Sequence, residues 1–208
     1  MSSAVPADYA RFVRAARLAG DLPAAPDRLA AGVVTDELFV AAKPASDMLQ
    51  IAAKRAAGLF RPTKRTEVVW VEGDSELAVG FAVRLEVDDG LLTVVIPVRC
   101  DQTGEGEVEV VFAVGSPDRP AGLFASTFRK PSGPRLVVDT WSDALVAFAW
   151  QSVLGMVSGL AGAIGKDARG NVLVPVELAV SGRGVHVVPM ARHRFAGSSG
   201  LLTKPARR

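Results

Sequence analysis

Asp139 and Asp143 stand four residues apart at the head of a 22-residue stretch, Ala144 to Gly165, that contains no charged residue and no histidine. Two carboxylates beside a large apolar surface suit acid–base chemistry, because burial can raise the pKa of one and leave the other ionised. The same positions suit a simpler role. Acidic residues at the start of a helix complement its dipole, and Thr140 with Asp143 has the spacing of a capping box. The expectation is capping, with Asp139 and Asp143 the only catalytic candidates the chain offers.

The remaining reactive side chains are sparse. His186 and His193 are the two histidines, and neither has a second metal-type ligand at a helical or hairpin offset, so no metal site is expected. His186 alternates with Val185 and Val187, as a residue on a strand face would. Cys100 lies between Arg99 and Asp101 with no base placed near it in sequence. Gly104-Glu105-Gly106 and Gly182-Arg183-Gly184 lack the third glycine and the strand-to-helix setting of a phosphate loop; both read as hairpin turns, and no cofactor is expected. Gly197 to Gly200 does not form a nucleophile elbow. Glu105, Glu107 and Glu109, spaced by two, read as the wet face of a strand rather than a calcium loop. Arg183, Arg192, Arg194, Lys204, Arg207 and Arg208 are accompanied by Phe195 alone, which favours a solvated basic tail over a nucleic-acid surface.

The elements that would position these residues follow from periodicity. Residues 7–19 place Tyr9, Phe12, Val13 and Ala16 at helical spacing, and Ser46 caps a second helix carrying Leu49, Ala52, Ala53, Ala56 and Phe60 to about Leu59. After Pro62 the period becomes two. Leu77, Val79, Phe81, Val83, Leu85 and Val87 alternate with polar residues, Asp88-Asp89-Gly90 turns the chain, and Leu92 to Val98 completes a hairpin. Further strands are expected at 68–72, 107–114, 123–129, 135–139, 172–180 and 185–190.

The uncharged stretch is long enough to span a membrane, and Gly155 and Gly159 form a G-x-x-x-G pair. Polar Gln151, Ser152 and Ser158 inside it, and a patterned hairpin after it, argue instead for a buried helix of a water-soluble fold. Val146, Trp150, Val153, Val157, Leu160 and Ile164 make a bulky face for the sheet. Gly155, Gly159 and Gly162 make a glycine face on which another backbone can settle, from an N-terminal helix or from a second subunit.

The expected fold is α+β: a curved antiparallel sheet of seven or eight strands on one long apolar helix, 140–165, with two N-terminal helices. Residues 1–65 form a helical segment, 66–190 the main domain and 191–208 a basic tail. Sheets wrapped on a helix occur in hot-dog thioesterases and helix-grip lipid carriers; the strand order here matches neither, so the likeness is architectural only.

The chain carries +2 overall, divided as +4 over residues 1–65, −10 over 66–118 and +8 over 119–208. Such segregation favours oriented self-association over binding of a polyanion. One cysteine in 208 residues leaves no disulfide framework, which suits a reducing compartment, and the N-terminus lacks the pattern of a signal peptide, so a cytoplasmic location is expected. The leading functional expectation is a non-catalytic binding or assembly protein that forms a homodimer through its glycine-faced helix or a sheet edge. The alternatives are a carrier of an apolar small molecule, walled by Trp141, Phe148, Trp150 and Met156, and a hot-dog-like acyl-thioester hydrolase using Asp139 or Asp143.

Overall fold

The computed structural model describes residues 3–4, 38–61, 63–116, 119–123, 126–164, 169–171 and 173–191. The expected helix at 7–19, His193, Phe195, the stretch 197–200 and the basic tail lie outside these residues.

The described chain is α+β. Its elements are β1 (Ser3–Ala4), β2 (Leu38–Ala41), α1 (Ala42–Ala56), β3 (Glu67–Glu72), β4 (Ser75–Gly80), β5 (Arg84–Asp88), β6 (Leu91–Cys100), β7 (Gly104–Ala113), β8 (Gly115–Ser116), β9 (Arg119–Gly122), α2 (Arg135–Ile164), β10 (Leu173–Ser181) and β11 (Gly184–Ala191). The strands form two sheets instead of the single sheet of seven or eight expected. The first has six strands in the order β1-β3-β4-β6-β5 with β7 on β6, and the second has five, β2-β11-β10-β9-β8. Every pairing except the short β1–β3 contact is antiparallel.

The long alternating run 77–87 is interrupted at residues 81–83. β4 and β5 consequently lie end to end along one side of β6, with β4 paired to residues 98–100 and β5 to residues 91–95, while β7 follows the whole of β6 on its other side. Pro97, which has no N–H to donate, falls opposite this break. The free edge of β7 is closed by residues 126–132: Phe128 donates its N–H to Val111 O (2.8 Å), and Ser132 and Glu109 exchange backbone bonds. Of the strand expected at 123–129, the described residues form an isolated bridge, between Thr127 and Phe112.

Two sheets arise where one was expected because the chain leaves the first after β7 and builds the second with β2. Gly90, in the β5–β6 turn at φ +76°, joins them by donating its N–H to Val180 O on β10 (3.1 Å). Only a residue without a Cβ adopts that backbone readily.

α1 begins at Ala42, four residues before the expected Ser46 cap. Ser46 faces inward instead, and its Oγ accepts the N–H of Leu85 on β5 (3.2 Å). Leu49, Ala52 and Ala53 form the buried stripe. The helix closes with Gly58 in the left-handed region (φ +81°), Leu59 N–H donating to Lys54 O and Gly58 N–H to Arg55 O, the Schellman arrangement. Phe60 therefore lies beyond the helix and is 81% exposed, contrary to its expected place on the stripe.

α2 begins at Arg135 rather than Thr140, so the strand expected at 135–139 is the helix's first turn. Val137 and Val138 have strand propensity, but Val137 continues the buried stripe of Trp141, Leu145 and Phe148, and packing overrides a local preference. Pro134 O accepts the N–H of Val138 (3.0 Å) as the first helical bond. From there α2 lies against the inner face of the six-stranded sheet and reaches β10 and β11 of the other. One cluster of buried residues includes α1, α2 and both sheets.

Among the described residues one helix, Arg135–Leu160, is long and apolar enough to cross a membrane by length and composition; 56% of its apolar window is buried inside the fold. Apart from Leu136, its exposed residues are small, polar or charged. A surface facing lipid would reverse that distribution, whereas a core helix requires it. The inward hydroxyl of Ser152 is satisfied by donating to Phe148 O (2.7 Å).

Candidate functional site

The four wall candidates lie inside the protein. Trp141 is 2% exposed, Phe148 0%, Trp150 2% and Met156 1%. Trp70 on β3 packs against Trp141 (ring centroids 6.2 Å) and edge-on against Phe148 (5.7 Å), and Phe112 on β7 packs against Trp150 (5.0 Å). Phe148 thus joins the sheet side of α2.

Asp139 and Asp143 occupy the second and third turns of α2, since the helix starts at Arg135, and both are exposed. Asp139 pairs with Arg135 one turn back (3.4 Å). Neither is at the helix start, so the capping expectation is corrected: Pro134 occupies that position, and the first turn contains no acid.

Gly155 and Gly159 face α1 of the same chain. A Cβ on Gly155 would lie 3.1 Å from Ala52 Cβ, and one on Gly159 would lie 3.7 Å from Met48 Cε. The close approach that glycines make possible is therefore made by an N-terminal helix. Nothing is described of the surroundings of Gly162.

His186 sits half-buried on β11, as its alternation implied. Its ring lies 4.8 Å from Phe39, and its Nε2 is 3.2 Å from Ser181 Oγ across the β10–β11 turn. Cys100 is a buried free thiol at the end of β6.

The densest polar arrangement is on the outer face of the six-stranded sheet. Register places Glu67 (β3), Glu76 (β4), Glu86 and Asp88 (β5), and Glu105, Glu107 and Glu109 (β7) on this side, opposite the apolar set facing α2. Three arginines answer them. Arg84 holds Glu107 through two parallel hydrogen bonds, that from Nη2 to Oε2 being 2.9 Å; Arg99 meets Glu67 at 2.7 Å and Arg129 meets Glu109 at 3.2 Å. The Arg84 hydrogen bonds hold the Glu107 carboxyl below its ordinary range, and the Arg84 guanidinium is raised by the same contact. Glu76, Glu86, Asp88 and Glu105 stand outside any ion pair among the described residues.

An open groove of about 470 Å³ crosses this face. Its floor is made of small residues, Ala78, Gly80, Pro97 and Gly106, and its rim carries Glu67, Glu105, Glu107 and Arg99. Gly80 keeps the floor low, because a Cβ there would meet Pro97 Cγ at 2.8 Å. Exposed, ionised carboxylates around an uncharged floor recognise cations attached to an apolar body. No three His, Cys, Asp or Glu side chains among the described residues are grouped so that they could hold a metal ion. Reading Glu105, Glu107 and Glu109 as a wet strand face placed these carboxylates on the solvent side. The groove between them was missed, since it depends on β3, β4, β6 and β7 being neighbours in one sheet; the one local hint was small Ala78 and Gly80 at outward positions of β4.

No protein-family model matches the chain, and no curated protein or solved structure matches it either.

Proposed function

We propose that the protein is a non-catalytic binding or assembly protein that associates with a second copy of itself through oppositely charged surfaces. The observation carrying this reading is the collection of seven carboxylates on one sheet face against three arginines, a surplus of four negative charges on a chain of net +2. Elsewhere the same chain holds the compensating cations, so two copies offer each other complementary fields, which steer encounter and fix orientation. Because Gly155 and Gly159 already face α1, the sheet supplies the association surface in this reading. The carrier and acyl-thioester readings have no comparable observation behind them.

Sedimentation equilibrium tests the proposal. The expected result is a mass near twice 21.8 kDa that falls toward one copy as salt rises. A single copy at every concentration and at low salt would overturn it.

A further inference from the structure

We propose, resting on that reading, that the groove on the outer sheet face receives the α1–β3 loop of a second copy, with Phe60 as its apolar anchor. The loop has the matching chemistry. Between Met48 and Thr66 the chain has Lys54, Arg55, Arg61, Lys64 and Arg65 and no acidic residue. Arg55, Arg61, Lys64 and Arg65 are exposed, and the Schellman turn at Gly58 sends the chain away from α1 immediately before Phe60. At 81% exposure Phe60 is the most exposed large apolar side chain among the described residues, so it is not seated in the groove of its own chain.

Across the interface, a floor of Ala78, Gly80, Pro97 and Gly106 offers apolar contact to an aromatic ring, and the rim, where Arg99 and Arg84 hold Glu67 and Glu107 and Glu105 is outside any ion pair among the described residues, presents Glu105 to the flanking cations. A volume of about 470 Å³ lies within the range of pockets that hold whole small ligands and exceeds what one benzyl group needs. Loop and groove also adjoin. Thr66 O accepts the N–H of Phe81 (2.8 Å), and the next residue, Glu67, is already part of the groove rim. Each copy therefore carries both halves of the contact, which is what a two-fold, reciprocal dimer requires. An aromatic flanked by arginines and inserted into a pocket is the composition of an interface hot spot.

The test is sedimentation equilibrium on the full chain and on variants at exposed positions, with thermal midpoints checking that each folds. Phe60→Ala and the pair Lys64→Glu with Arg65→Glu are each expected to weaken dimerisation by about thirtyfold or more, the loss of a hot spot. Glu105→Lys should weaken it as well, and combining Glu105→Lys with Lys64→Glu and Arg65→Glu should recover most of the loss. A wild-type dimer whose affinity stays within about threefold in all of these variants overturns the loop-in-groove contact while leaving self-association standing. Weakening without recovery in the charge exchange also overturns it, because loop and rim would then not face each other. A wild-type monomer overturns both proposals.

Discussion

Replacing Phe148 by alanine tests the position of α2 by the sign of its effect as well as its size. The side chain is 0% exposed and stands edge-on to Trp70 at 5.7 Å. Truncation removes the buried ring, the aromatic pair and the filling of the space they occupy. Phe→Ala in a closed core costs about 3–5 kcal/mol, of which the edge-on pair accounts for about 0.5–1.5 kcal/mol. On a solvent-exposed helix the same change is favourable by up to about 0.7 kcal/mol, because alanine is the better helix former. With a urea m-value of about 2 kcal/mol/M, the expected loss lowers the unfolding midpoint by about 1.5–2.5 M. Urea titration followed by far-UV circular dichroism reads this directly, provided the slope is unchanged. A destabilisation under about 1 kcal/mol, or any stabilisation, would refute the placement of Phe148 between helix and sheet.

Three further outcomes follow from other contacts. Gly133→Ala should destabilise the fold by about 1–3 kcal/mol in the same titration, because the added Cβ would lie 2.7 Å from Glu107 O and 2.9 Å from Val108 Cγ2; an unchanged midpoint would contradict that packing. Gly155→Ile should lower stability by pressing against Ala52 and pushing α1 away from α2, yet leave the oligomeric mass unchanged; dissociation without destabilisation would instead place the glycine face between subunits. The Arg84–Glu107 contact is pH-dependent in a definite direction. Glu107 has a folded pKa below its unfolded one, so the contribution is fully present above the ordinary carboxylate value of about 4.3 and is lost as pH falls through the lower folded pKa. An NMR titration should give Glu107 a midpoint below the ordinary glutamate value and return it toward that value in Arg84→Gln; an ordinary midpoint in the wild type would contradict the bidentate pair.

What could be read from the sequence was periodicity. The β5–β6 hairpin, the β10–β11 hairpin, the outward glutamates of β7 and the inward bulk of α2 all follow from local alternation or helical spacing, and each is found. Junctions were less legible. The start of α2 was misplaced because Leu136-Val137-Val138 resembles a strand until Trp141 is seen to continue the same buried stripe. The α1 cap was misplaced because Ser46 has a partner on β5, 39 residues away. The division into two sheets had no local signal, since it depends on β2 pairing with β11 across most of the chain. The charge segregation was visible by counting, but its concentration on one face required the register of β3 through β7. Phe60 fitted the helical stripe and left it only because Gly58 turns the backbone.

Hydrogen–deuterium exchange on the detergent-free protein, read at the amides of 141–157, tests most directly whether α2 is enclosed by protein on both flanks. The account predicts that these amides are among the slowest in the chain and open only with global unfolding, sharing its urea dependence. Exchange through local opening, faster than at the amides of β6 and independent of urea, would contradict it.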